Sequence, residues 1–152
     1  MKRAVFPGSF DPITIGHYHI VKKALGIFDE IIIAIGNNST KNYLFGKEQR
    51  LRMIQQAFEN EKKVKIEFYN ELTVNFCKRL QVRYIIRGLR NSGDFEFEKS
   101  IAQMNQKLQP DIETVFFLTD EQYASIQSSI VREIYKNNGD IRQFLPPNVT
   151  LP

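Results

Sequence analysis

Apolar and polar positions along the chain fall into two alternating rhythms. Short β-prone runs at Arg3–Phe6, Ile31–Ile35, Val64–Phe68, Tyr84–Ile86 and Thr114–Leu118 are separated by stretches in which apolar side chains recur every three or four positions, near residues 15–28, 47–59, 72–80, 94–108 and 128–137. The clearest helical stripe is His17, Ile20, Val21, Ala24, Leu25 and Phe28, and a second runs through Phe97, Ile101, Met104 and Leu108. Ile31–Ile35 and Val115–Leu118 are apolar throughout, as expected of strands covered by helices on both faces, whereas Val64, Ile66 and Phe68 alternate with polar residues and predict a more exposed strand. Successive strand–helix units predict one α/β domain over residues 1–152: a Rossmann-like, doubly wound, five-stranded parallel sheet with helices on both faces. Right-handed crossovers then bring every strand-to-helix loop to one edge of the sheet.

The helices carry start and stop signals. Asp94 precedes the Phe97 stripe as a candidate cap, and Ser128-Ser129 precede Ile130, Val131 and Ile134. Pro110 ends the fourth helix, and Asn137-Asn138-Gly139 ends the fifth. Ile141, Phe144 and Leu145 before Pro146-Pro147 predict a short packed helical turn and then an extended tail.

Composition narrows the function. A chain of 152 residues supports a single core, and its longest aliphatic run, Ile31–Ile35, falls far short of the ~20 residues that span a bilayer. Met1 to Pro7 enters a strand without the apolar region of a signal peptide, so a cytoplasmic location is expected. The net charge of +4 is dispersed along the chain, which favours a compact anionic ligand over a long nucleic acid. Cys77 is the single cysteine and shares an apolar helix face with Phe76 and Leu80, the pattern of a packed thiol.

Four strand-to-helix segments carry residues unsuited to mere turning. The first, Phe6 to His17, is dense in turn formers. Gly8 allows close backbone approach, Ser9 offers a hydroxyl and an N–H, and His17, at the helix start, is either an oxyanion donor or a packed core histidine. The second, Gly36 to Asn42, is wholly polar with Lys41 its one charge. The third, Arg87-Gly88-Leu89-Arg90, pairs two forked guanidinium donors around a glycine. The fourth runs from Thr119 to Ser129, whose final serines either cap the helix or bind a phosphate there. Glu98 reads as a solvated charge or a partner for Arg90. His17 and His19 lack partners at metal-ligand spacing, and neither a P-loop nor a Gly-x-Gly-x-x-Gly fingerprint is present.

Taken in order, Pro7-Gly8-Ser9-Phe10-Asp11-Pro12-Ile13-Thr14-Ile15-Gly16-His17, Ile86 to Arg90, Asp94 to Glu98 with Met104-Asn105, and Ser128-Ser129 resemble the bacterial phosphopantetheine adenylyltransferases, nucleotidyltransferases with a (His/Thr)-x-Gly-His motif. The resemblance implies transfer of the adenylyl group of ATP to 4′-phosphopantetheine, giving dephospho-coenzyme A and pyrophosphate, with no covalent enzyme intermediate. It implies that Ser9 orients the acceptor phosphate, that Ser9 and Phe10 contact ATP through the backbone, and that His17, with Lys41 and Arg90, stabilises charge at the reacting centre. Ser9, Lys41, Thr73 and Arg87 would hold phosphopantetheine; Gly88, Leu89, Arg90, Glu98 and the segment Tyr123, Ala124, Ser125, Ile126, Gln127, Ser128 and Ser129 would hold ATP. The family pattern further implies Mg²⁺ arriving with the nucleotide, a homohexamer and feedback by coenzyme A. The family commonly has a Trp near Tyr123 and a Ser at the position of Gln127, and the helix many members carry after Pro147 is nearly absent. The alternatives are transfer of a nucleotide to another phosphorylated acceptor, and a non-catalytic nucleotide-binding module.

Overall fold

The computed structural model describes residues 1–152. Five strands, β1 (Arg3–Gly8), β2 (Glu30–Gly36), β3 (Val64–Tyr69), β4 (Tyr84–Leu89) and β5 (Glu113–Leu118), alternate with α1 (Ile15–Ala24), α2 (Lys47–Ala57), α3 (Thr73–Arg79), α4 (Ser92–Leu108) and α5 (Ser128–Lys136). All strand pairs are parallel, in the order β3-β2-β1-β4-β5, which is the doubly wound sheet expected. The direction of strand addition reverses between β1 and β4, and in such sheets that switch point opens a crevice at the carboxyl ends of the strands.

The crevice has a visible cause in the register. β1 pairs with β2 from Arg3 to Gly8, but with β4 only at Ala4↔Tyr84 and Val5↔Ile85. Pro7 has no N–H to continue a ladder, and its carbonyl instead accepts from Arg87 Nη1 at 2.8 Å. The two strands thus part where the site begins.

One face of the sheet carries the larger core, built from Ala4, Phe6, Ile31, Ile33 and Ile35 against α1, α2 and α5, and closed by Ile141 and Leu145 of the C-terminal segment. The other face packs Val5, Ile32, Ala34 and Ile85 against Val74, Phe76 and Cys77 of α3. Cys77 is fully buried, and burial pushes its thiol up to about 12, in keeping with a packing role. The short packed turn (Arg142–Phe144) and extended tail are as expected, with Thr150 tied to Gln56 by two hydrogen bonds.

Four local expectations are corrected. β4 runs on through Leu89, so Arg87-Gly88-Leu89 is strand rather than loop, and Gly88 lies where a Cβ would crowd the Ile20 side chain of α1 at 3.2 Å. β5 is an edge strand with half-exposed side chains and Leu118 70% exposed, not a strand covered on both faces. Asp94 does not cap α4: Asn91 does, accepting the Asp94 N–H at 2.9 Å, while the Asp94 carboxylate takes the Arg90 N–H and guanidinium. Helix α1 also stops at Ala24, four residues short of the predicted limit, although Phe28 remains buried beyond it.

Candidate active site

The crevice holds a cavity of about 330 Å³ walled by the β1–α1 connection, the end of β4, the first turns of α4 and the Thr119–Ser129 segment. At its base the chain turns sharply. Phe10 takes a left-handed φ of 49°, and its ring packs edge-on against Phe6 and His17; a Cβ on Gly8 would lie 3.0 Å from that ring. Gly8 is therefore needed as much for the ring of Phe10 as for a ligand.

His17 is packed, one of the two readings its position in the chain allowed, and it also caps its own helix. It packs against Phe6 and Phe10, and it closes a capping box with Thr14: the Thr14 hydroxyl accepts the His17 N–H at 3.3 Å and the His17 Nδ1 accepts the Thr14 N–H at 3.0 Å. With Nδ1 an acceptor, the proton resides on Nε2, which is left to serve a ligand. Burial of the ring, and then the positive charges of Arg87 and Arg90, lower its pKa from 6.5 to about 4. At neutral pH, His17 is a neutral donor rather than a cation.

The charged pairs differ from expectation. Glu98 is buried, 8% exposed, and its partner is Arg87, held through Nε at 2.9 Å and Nη2 at 2.8 Å, a bidentate pair. Glu98 is neither a solvated charge nor the partner of Arg90, because Arg90 is engaged by Asp94 one turn into α4. Arg87 spans β4 to β1 through the Pro7 carbonyl and, with Glu98, Pro7, Gly8 and Ser9, lines both this cavity and a neighbouring one of about 270 Å³. That second cavity is completed by Tyr69, Thr73, Ile101, Ala102 and Asn105, with the Tyr69 and Thr73 hydroxyls 3.1 Å apart.

Lys41 reaches across from the β2–α2 loop and donates to the Ser9 hydroxyl at 2.9 Å, so Ser9 stands where three recesses meet. Opposite, the N-terminal end of α5 has no side-chain cap. Ser128 is its first residue, not its cap, and the Ser128 hydroxyl donates to the Pro12 carbonyl, leaving the first N–H groups of the helix free for an anion. Tyr123, Ile126, Gln127, Ser128 and Ser129 line the cavity, whereas Leu89, Ala124 and Ser125 do not.

The structure thus brings Ser9, Phe10, His17, Arg87, Gly88, Arg90 and Glu98 around one cavity, Lys41 onto Ser9, and Thr73 into the adjoining recess. Sequence reasoning passed over Arg132, Asp11 and Arg50. Arg132 lines the cavity and donates to the Asp11 carbonyl at 2.8 Å; its spacing of four from Ser128, one helical turn on the same face, was the available signal. Asp11 is buried and accepts the N–H groups of Leu44 and Phe45, stitching the β1–α1 and β2–α2 connections together. No cluster of three or more His, Cys, Asp or Glu side chains could hold a metal ion. The cavity is a set of guanidinium, imidazole and hydroxyl donors around free helix N–H groups, a lining suited to phosphate.

Comparison with known proteins agrees with this chemistry. Residues 5–134 match the model of the cytidylyltransferase-like family. The phosphopantetheine adenylyltransferase of Christiangramia forsetii is 50% identical over 149 residues, 98% of this chain and 97% of that protein. Its counterpart in Flavobacterium psychrophilum is 49% identical over 149 residues, 98% of each. Among solved structures, a bifunctional NMN adenylyltransferase/ADP ribose pyrophosphatase from Francisella tularensis shares the fold with a TM-score of 0.73 at 20% identity, covering 97% of this chain; the chain spans 45% of that longer protein.

Proposed function

The chain belongs to the phosphopantetheine adenylyltransferases of the cytidylyltransferase-like family, and from that premise we propose how its crevice moves an adenylyl group. The reaction joins 4′-phosphopantetheine to the adenylyl part of ATP, giving dephospho-coenzyme A and pyrophosphate. ATP occupies the cavity between His17, Arg90 and the N-terminal end of α5; phosphopantetheine occupies the recess of Thr73 and Asn105, with its phosphate at Ser9 and Lys41. An acceptor phosphate oxygen attacks the α-phosphorus in line, the new P–O bond forms as the bond to the β-phosphate oxygen breaks, and pyrophosphate leaves with the electron pair. A phosphate is already a nucleophile, so alignment and charge stabilisation suffice.

The observation that carries this reading is the fixed tautomer of His17. Thr14 occupies Nδ1, and Nε2–H remains as a preorganised donor to oxygens on which charge develops, in a site already positive from Arg87 and Arg90. Arg87 and Glu98, lining both recesses, form the partition against which the two substrates meet. Mg²⁺ would be held through the oxygens of the triphosphate and would offset their charge, while His17, Arg90 and the N-terminal end of α5 bind the phosphates themselves.

Helix α4 supports the assembly part of the proposal. Its only buried residue is Glu98, while Phe97 is 67%, Met104 59% and Leu108 56% exposed. An apolar stripe of that extent on a helix calls for a partner surface, and a second copy of the chain in a homohexamer is the occupant we assign. A cytoplasmic location and competition by coenzyme A, which carries the same pantetheine arm, complete the reading.

Pyrophosphate release with ATP and a panel of acceptors tests it. Turnover with 4′-phosphopantetheine is expected; turnover confined to nicotinate mononucleotide or another phosphorylated acceptor overturns the substrate assignment, and binding without pyrophosphate overturns catalysis.

A further inference from the structure

Arg50 is the largest fully buried side chain in the molecule, 1% exposed, on a helix whose other charged residues face solvent. A buried guanidinium ordinarily has a carboxylate partner; Arg50 makes no ion pair. Its Nε donates to the Phe45 carbonyl at 3.2 Å, and its Nη1 donates to the carbonyls of Ser9 at 2.9 Å and Gly36 at 3.1 Å. Those carbonyls lie in three separate segments: the turn after β1, the end of β2 and the start of α2. The guanidinium also stacks 3.8 Å from the centroid of Tyr43. Tyr43 in turn donates to the Gly36 carbonyl at 3.2 Å and accepts the Asn38 N–H at 3.0 Å, and its ring lies 5.5 Å from Lys41 Nζ.

We propose that Arg50, with Tyr43 stacked on it, is a positioning residue for adenylyl transfer: it pins the backbone of Ser9 to the ends of the Lys41 loop, so that the Ser9 hydroxyl and the Lys41 ammonium present one joint site to the acceptor phosphate. The proposal rests on the adenylyl-transfer reading given above. Arg50 touches neither cavity, and acts through Ser9 and Lys41. An arginine suits the position because its planar fork holds donors on separate nitrogens in fixed geometry, Nε on Phe45 and Nη1 on Ser9 and Gly36, where the donors of a lysine ammonium all sit on one freely rotating nitrogen.

Arg50→Lys keeps the charge and loses the fork; Tyr43→Leu keeps the fork and loses the stack. In pyrophosphate release, Arg50→Lys is expected to lower kcat by roughly 30- to 100-fold, the scale of misplacing a reacting group by about 1 Å, with KM for ATP within about threefold of wild type. Tyr43→Leu is expected to lower kcat by roughly three- to tenfold, and millimolar guanidinium to restore part of the activity of Arg50→Ala. Amide hydrogen exchange reads the same proposal without turnover: in Arg50→Lys, exchange should quicken at residues 8–10 and 36–46 and stay unchanged in β4 and β5. Equal kcat in wild type and Arg50→Lys, or faster exchange across the whole sheet, overturns the positioning role. Absence of turnover in the wild type would instead overturn the reaction assignment, and the exchange pattern would still decide for or against Arg50.

Discussion

Helices α1 and α4 both follow strands that border the crevice, and they dispose of their apolar residues in opposite ways. Helix α1 buries Ile20, Val21 and Ala24 against the sheet and turns Lys22 and Lys23 outward. Helix α4 buries the carboxylate of Glu98 and leaves Phe97, Ile101, Met104 and Leu108 exposed. The periodic signal is equally good in both, because periodicity reports that a helix has an apolar face and not what that face meets. In α1 the face makes the fold; in α4 it stays exposed, and the proposed assembly rests on it. The inward side of α4 is then free for a charged residue that holds Arg87 at the junction of the two recesses.

The largest expected effect comes from removing that outward face. Phe97→Asp combined with Ile101→Asp should convert the assembly to monomers in light scattering. Each large apolar side chain withdrawn from an interface forfeits about 1.5–3 kcal/mol, before the cost of burying the new carboxylates. The same pair of changes should leave the monomer folded, since neither residue belongs to the core. Loss of folding in the double variant would mean that α4 packs intramolecularly as α1 does.

His17→Ala tests the other helix. Removing a preorganised donor typically costs ~10²–10³ in rate, or about 2.7–4 kcal/mol; steady-state pyrophosphate release should fall by that factor while the chain stays folded, its thermal transition lowered by the loss of one capping interaction and of the ring's packing against Phe6 and Phe10. Turnover within a few-fold of wild type would reduce His17 to its packing against Phe6 and Phe10.

Acidification should separate the helices further. In the folded chain His17 holds a pKa of about 4 against an ordinary 6.5, so the unfolded state binds the proton more readily. The stabilisation is complete above pH ~6.5 and is lost as pH falls toward 4, by at most about 3 kcal/mol at ~1.4 kcal/mol per unit. Urea unfolding of the monomeric α4 variant across that window should show the slope, and adding His17→Asn should flatten it. An unchanged slope would place the proton elsewhere.

Much of this was legible in the residues. Five strand–helix units and the turn-rich run from Phe6 to His17 predicted the sheet and the place of the site, because burial pattern and turn formers act locally. Strand order and pairing partners are long-range, so the edge position of β5 was not legible: Val115–Leu118 is as apolar as a central strand although β5 pairs with β4 alone. Glu98 was named but read as a solvated charge or a partner of Arg90, and Arg50 was passed over, for a related reason. A charged residue on a helix reads as solvated unless its partner is known, and both partners come from distant segments: Arg87 for one, the carbonyls of Ser9 and Gly36 for the other. Asn91 was overlooked because Asp94 offered the same capping chemistry three residues later.

That last pair gives the smallest and cleanest test. Asn91 caps α4 through the Asp94 N–H, whereas the Asp94 side chain holds Arg90 in the cavity. Asn91→Ala should cost about 1 kcal/mol of stability, the usual value of a side-chain cap, measured by denaturation at constant protein concentration because the proposed assembly would contribute to the apparent value. Its KM for ATP should stay close to wild type. Asp94→Asn should do the reverse: the amide cannot neutralise Arg90, the guanidinium becomes free to leave its place, and KM for ATP should rise several-fold with little change in melting. If Asn91→Ala raised KM as much as Asp94→Asn did, the start of α4 would be acting as a unit with Arg90, and the division between a capping residue and a residue that orients the cavity's arginine would not hold.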